Sequence, residues 1–219
     1  MTLKKLFAKA AAALCILSLT ACATQTANDY SDFKDNQPRS ILVLPPINDT
    51  VEVDASNSVL SQATFPLAES GYYVIPVTLM VETFKENGLT QPTDIQATPA
   101  EKLRQIFGAD AALYISISKY GTVYKVIASE SVVTAQAKLV DLKTGRLLWQ
   151  GSATASSEEG KNNRGGLVSL LVSAVINQII GTVSEQSHNV AGIATNRLLH
   201  ASPNGGILYG QRSPYFSKK

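Results

Sequence analysis

The residue types that could do chemistry are few in this 219-residue chain: two cysteines, Cys15 and Cys22, and two histidines, His188 and His200. The histidines stand twelve apart, out of helical register, with no cysteine or carboxylate cluster beside them. No metal site is expected, and exposed or capping imidazoles are the ordinary reading. Serines abound, yet no Gly-x-Ser-x-Gly elbow presents one as a nucleophile. Walker and dinucleotide fingerprints are both absent. Glu158 and Glu159 pair two carboxylates beside a polar Gly-Lys-Asn-Asn-Arg stretch. Glycoside hydrolysis needs a cleft and a raised pKa, and a solvated loop offers neither. The expectation is a protein with no catalytic residues, no cofactor and no metal.

One thiol is different. Lys4, Lys5 and Lys9 precede an uncharged apolar run at residues 10–19, too short to span a bilayer permanently, which takes about 20 apolar residues. Leu19-Thr20-Ala21-Cys22 follows and resembles a bacterial lipobox. That resemblance implies cleavage between Ala21 and Cys22, with lipid on the Cys22 thiol and acylation of the new amine. The alternatives are an ordinary signal peptide with a chance cysteine, or an uncleaved anchor. One acyl chain holds a protein marginally, whereas several on one residue hold it firmly. Residue 23 is Ala rather than the Asp that marks inner-membrane retention, so outer-membrane delivery is implied.

Removing the signal also removes three lysines and leaves 16 basic and 17 acidic residues, a formal net charge of −1. A basic surface for nucleic acid is therefore not expected. Charged residues make up only 16% and hydrophobic ones 45%, which excludes disorder throughout. With Cys15 lost and Cys22 acylated, no disulfide remains and stability must come from packing.

The elements follow from periodicity. Residues 1–21 are the signal peptide, and residues 22–39 read as the lipidated cysteine and a polar tether. Residues 40–201 form the domain, leaving 202–219 as a tail that is flexible or packs its aromatics on a neighbour. Residues 40–44 are an apolar run stopped by Pro45-Pro46, a strand buried on both faces. Residues 55–70 read as a helix interrupted by Pro66, 72–77 as a strand, and 79–86 as a helix. Thr98-Pro99-Ala100-Glu101 starts another helix with Thr98 as cap, ended by Gly108. A third strand covers 111–118.

Val133, Ala135, Ala137 and Leu139 then alternate with polar neighbours, and Asp141–Gly145 is a turn. The return strand puts Leu147, Trp149, Gly151, Ala153 and Ala155 on one face, completing an antiparallel hairpin. Asp141 and Thr144 serve the turn, and Trp149 reads as a core or sheet-face residue rather than a ligand platform. Residues 165–184 carry no charge, although Ser169, Ser173 and Asn177 form a polar stripe. That segment reads as a packed helix, a partner or oligomer face, or a membrane contact. Residues 191–199 read as a further amphipathic helix. The fold class is α/β: a β-α-β core with a mixed sheet, a C-terminal antiparallel hairpin and a long helical segment.

The run Pro66-Leu67-Ala68-Glu69-Ser70-Gly71-Tyr72-Tyr73-Val74-Ile75-Pro76-Val77 resembles the central motif of a Gram-negative lipoprotein family, first noted among surface-antigen candidates and without an assigned molecular function. Leu44-Pro45-Pro46, Gly108-Ala109-Asp110-Ala111 and the Asp141–Gly145 turn with Trp149 match as well. The family is distantly similar to the TolB amino-terminal domain and the curli-secretion channel lipoproteins. The resemblance implies a periplasmic, non-catalytic interaction or accessory module. Its partners would be the membrane, through Cys22, and an envelope protein, another lipoprotein among the candidates. The alternative is a homo-oligomeric structural or secretion-associated component.

Overall fold

The computed structural model describes residues 29–124, 129–159 and 183–216. Helix α1 (Ser31–Asn36) leads into strand β1 (Ser40–Val43), whose apolar run continues through Leu44. Ile41, Leu42, Val43 and Leu44 are all fully buried, as a strand covered on both faces requires. Burying each such side chain stabilises the fold by about 1.5–3 kcal/mol. After Pro45-Pro46 the chain makes β2 (Ile47–Asn48) and then helix α2 (Ala55–Glu69).

Pro66 does not interrupt α2. It lies in the last turn with its ring buried, and the helix continues through it to Glu69 at the loss of one amide hydrogen bond. Its carbonyl accepts from both the amide and the hydroxyl of Ser70. The next strand is shorter than its sequence suggests: β3 is Tyr73–Val74 only, because Pro76 turns the chain into α3 (Val77–Glu86). A short helix α4 (Pro92–Gln96) was not foreseen, although Pro92 and Asp94 in its first turn are a start signal. Helix α5 (Ala100–Phe107) begins one residue later than expected, with Pro99 rather than Thr98 at the cap and no side-chain capping bond. It ends on Gly108 at φ 64°, the left-handed conformation that glycine adopts without strain.

Strand β4 (Ala111–Lys119) runs parallel to β1 and β2, and β1 runs parallel to β3. Strand β5 (Thr122–Tyr124) and β4 both pair with β6 (Ser129–Asp141), antiparallel. Strand β7 (Leu147–Ser156) then returns along β6. The sheet is thus mixed, as expected. Ile115, Ala137 and Gly151 align across β4, β6 and β7, as do Leu113, Leu139 and Trp149. The final helix α6 (Val183–Leu199) covers β6 and β7 on this side of the sheet and packs against α2, which covers β1, β2 and β3.

The hairpin carries one correction. Leu147 is exposed and Leu148 is buried, because the register slips between Leu139 and Val140. An extra residue in one strand of a pair turns its neighbours to opposite faces. Beyond the bulge, Trp149, Ala153 and Ala155 are buried and Gly151 half-buried, as anticipated. Asp141 Oδ1 accepts from the amides of Lys143 and Thr144 and from the Thr144 hydroxyl, at 3.1, 2.7 and 2.7 Å.

Both ends of the domain reach further than the sequence indicates. Phe33, placed in the tether, is 3% exposed inside the core. Residues 202–216, read as a tail flexible or seated on a neighbour, fold back onto their own domain. Residues 165–184 lie outside the described residues except at the start of α6, which is eight residues longer than the expected 191–199 helix. Among the described residues no helix is long and apolar enough to cross a membrane.

Candidate interaction surfaces

Cys22 and Ala21 lie outside the described residues. Among those described, no group of three or more histidine, cysteine or acidic residues could hold a metal. The chain's recognisable features instead gather at the two ends of β6.

At the base, where the chain enters, the motif Ser70-Gly71-Tyr72 receives the C-terminal segment. The Ser70 hydroxyl accepts from the Ala201 amide at 3.0 Å and its carbonyl accepts from the Gly210 amide at 2.9 Å. Gly71 adopts φ 94°, and a Cβ there would collide with Ser213. The Tyr72 phenol donates to the Leu208 carbonyl. Trp149 Nε1, its indole lying over Gly151, donates to the Gly205 carbonyl at 3.0 Å. Burial pushes the Tyr72 phenol far above its ordinary pKa. The family motif thus has a physical role as the seat of the chain's last segment.

Tyr30 completes this closure by donating to the Gly206 carbonyl at 2.6 Å. Between α1 and the C-terminal segment lies a groove of about 490 Å³, lined mainly by Tyr30, Phe33, Leu208, Tyr209, Tyr215 and Phe216. Tyr209 and Tyr215 pack with ring centres 5.4 Å apart, yet Tyr215 stays 73% exposed. Gln37 on the groove rim has φ 42° and precedes a proline, a conformation unfavourable on both counts. It is held by its amide bond to Phe33 and by Gln211 Nε2 donating to its carbonyl at 3.1 Å.

The opposite end is built differently. Asn48 Oδ1 accepts from the amide and hydroxyl of Thr50 at 3.0 and 2.8 Å, and Asn48 Nδ2 donates to the Glu52 carbonyl at 2.8 Å. The Asp49 amide ties the loop to Ile117 of β4. Glu52 lies against Gly121, which at φ 108° carries the β4–β5 turn. The loop therefore holds a set shape while displaying Val51 and Val53, 94% and 88% exposed, beside β5 with Val123 and Tyr124, 45% and 82% exposed.

Beneath this end, Ser58 and His188 approach to 2.8 Å. A serine beside an imidazole is half of a nucleophilic pair. Ser58, however, is 7% exposed within α2, and its hydroxyl is shared with Tyr120. It joins α2, the β4–β5 turn and α6. The same surroundings raise the Tyr120 pKa, through burial above all; the Ser58 bond opposes the rise, and Asp54 and Glu52 add to it.

The sheet face away from α2 and α6 carries Tyr114, Ser116, Gln136, Lys138, Gln150 and Ser152, an open concavity of about 630 Å³. Gln96 of α4 bonds there to the carbonyls of Pro45 and Ile115, at 2.8 and 2.9 Å, fixing the Leu44-Pro45-Pro46 corner. The other groups of this face are the Lys138 ammonium and the amides and hydroxyls of Tyr114, Ser116, Gln136, Gln150 and Ser152.

A family model described as "Putative lipoprotein GNA1162-like" matches residues 28–212. A curated protein of Neisseria meningitidis serogroup B, "Putative lipoprotein NMB1124/NMB1162", is 46% identical over 200 residues, covering 90% of this chain and 92% of that one. The crystal structure of lipoprotein GNA1162 from Neisseria meningitidis superposes with a TM-score of 0.54 at 48% identity, covering 64% of this chain and 97% of that one. The mixed α/β architecture is common to both.

Proposed function

We propose that this chain, which belongs to the GNA1162-like lipoprotein family, is held at the outer membrane by lipid on Cys22, after cleavage beside Ala21, and works as a non-catalytic interaction module of the cell envelope. Its protein partner binds the end that displays Val51, Val53, Val123 and Tyr124. The supporting observation is the Asn48-ordered loop, in which four local hydrogen bonds keep two valines in water. Exposed apolar side chains on a preformed loop suit association, because little ordering remains to be done on binding. The domain faces the periplasm in this reading.

The test is in-cell crosslinking from a photoreactive side chain placed at Val51 or Tyr124 of the lipidated protein. A single envelope protein captured at both positions, and not from Lys102 on α5, is the expected result. Equal capture from all three positions would sink the assignment of this end.

A homo-oligomeric structural role has one observation of its own. Strand β7 contains no charged residue and no proline along ten residues, and among the described strands only β6 pairs with it. Natural edges usually carry such protection. Arg197 donating to the Thr154 carbonyl covers one point of it. Light scattering of the detergent-solubilised protein separates the two readings: a monomer removes the second.

A further inference from the structure

We infer that the aromatic groove at the base is where the anchored domain rests on the lipid bilayer, with its tyrosines at headgroup level. This rests on the acylation of Cys22 given above. Eight peptide steps separate Cys22 from Tyr30. At about 3.3–3.6 Å per step they reach at most about 29 Å, and as a flexible coil about 15 Å. Strand β6, Ser129–Asp141, makes the domain some 40 Å long at roughly 3.3 Å per residue. The tether is therefore shorter than the body it holds, and the end bearing Tyr30 is kept toward the membrane.

Tyr30 cannot swing away from that end. Its hydroxyl is bonded to Gly206 and the neighbouring Phe33 is locked in the core, so the anchor pulls on the rigid domain through the wall of the groove itself. The groove carries four further large side chains, Leu208, Tyr209, Tyr215 and Phe216. Tyrosine, with an apolar ring and a polar tip, is enriched where hydrocarbon meets water. At this place the exposed ring of Tyr215 has such a boundary within reach.

Net charge does not supply the attraction. Among the described residues, Lys34, Arg39 and Arg212 are offset at this end by Asp29, Asp35 and Asp110, while Asp32 is paired with Arg146 at 2.6 Å. The contact is thus aromatic, and it persists at about 0.5 M salt, where the screening length is only a few ångström.

Once Cys22 is acylated and Cys15 is gone with the signal, the mature chain has no other thiol, so one introduced cysteine carries a fluorophore uniquely. Tyr215→Cys and Lys34→Cys report on the two walls, and Tyr124→Cys on the far end. Each lipidated protein is reconstituted into phosphatidylethanolamine–phosphatidylglycerol vesicles with nitroxide-labelled acyl chains. Labels at positions 215 and 34 are expected to shift to the blue and to be quenched severalfold more than the label at 124, with or without high salt. Equal, weak quenching at all three positions on vesicle-bound protein overturns this inference and leaves the anchor intact. A blue shift without lipid quenching also overturns it, since a protein segment then fills the groove. Protein that carries no lipid mass on Cys22 and stays off the vesicles overturns the anchor, and this inference with it.

Discussion

The two ends of β6 are ordered by opposite means. At the base, side chains bond to backbone far away in sequence: Tyr30 to Gly206, Tyr72 to Leu208 and Trp149 to Gly205. Asp110 likewise accepts from the amides of Arg39 and Ser40 at 2.9 and 3.1 Å. At the other end, beyond the one amide bond from Asp49 to the Ile117 carbonyl, the Asn48 loop is tied by bonds spanning two to four residues. A long-range closure stands or falls with the whole fold, because its partners are brought together only by folding. A loop shaped mainly by its own short-range bonds depends less on distant residues, so its outward side chains are free to change. Stability is accordingly concentrated at the base, and freedom to evolve a binding surface at the far end.

The strongest blow to this contrast falls on Gly71. Replacing it with valine forces a β-branched residue to φ 94° and drives its side chain into Ser213. The expected loss is roughly 3 kcal/mol, or a melting temperature lower by about 6–12 °C in a chain of this size. The C-terminal segment should become sensitive to protease at the same time. A variant that melts like the wild type would show that the seat at Ser70-Gly71-Tyr72 contributes nothing.

Alkali tests the same end more finely. Burial raises the Tyr72 phenol pKa in the folded state, while in the unfolded chain it stays near 10. The unfolded state then loses its proton first. The stabilisation is complete below about pH 10 and falls above it, by up to about 1.4 kcal/mol per pH unit. Tyr114 and Tyr120, also raised by burial, add to the slope. Tyr72→Phe should cost about 1–2 kcal/mol at neutral pH, since the Leu208 carbonyl loses its donor. It should also flatten the decline between pH 10 and 11 in urea titrations. An unchanged slope would place the titrating group elsewhere.

How much of this was legible follows the same division. Period-two alternation in β6 and β7 and the Asp141 turn are local signals, and they read correctly. Tyr30 and Phe33 did not, because a six-residue helix in a polar stretch is too short to show a periodicity. Ser70-Gly71-Tyr72 was recognisable as a motif, yet its role depends on residues 201–213, more than 125 positions away. The bulge at Leu148 was hidden for another reason: in Leu147-Leu148-Trp149 three apolar residues run together, and alternation cannot choose among them. At the far end, Val51-Glu52-Val53 imitates the start of a strand, so the exposed loop gives no local sign of itself.

The smallest effect on stability, and the sharpest on function, is expected at those valines. Both side chains are nearly wholly in water, so changing Val51 and Val53 to serine removes almost no buried area. The fold should be altered by no more than about 0.5 kcal/mol. The bonds that shape the loop run through Asn48, Thr50 and the Glu52 backbone, none of which is touched. Capture of the partner from a photoreactive group at Tyr124 should nevertheless fall severalfold, since two apolar contacts at the centre of the surface are gone. The double variant thus separates the two ends in one experiment. Intact melting with lost capture fits a display loop on a stable base, whereas lost melting with intact capture would mean that the valines serve the fold and the partner binds elsewhere.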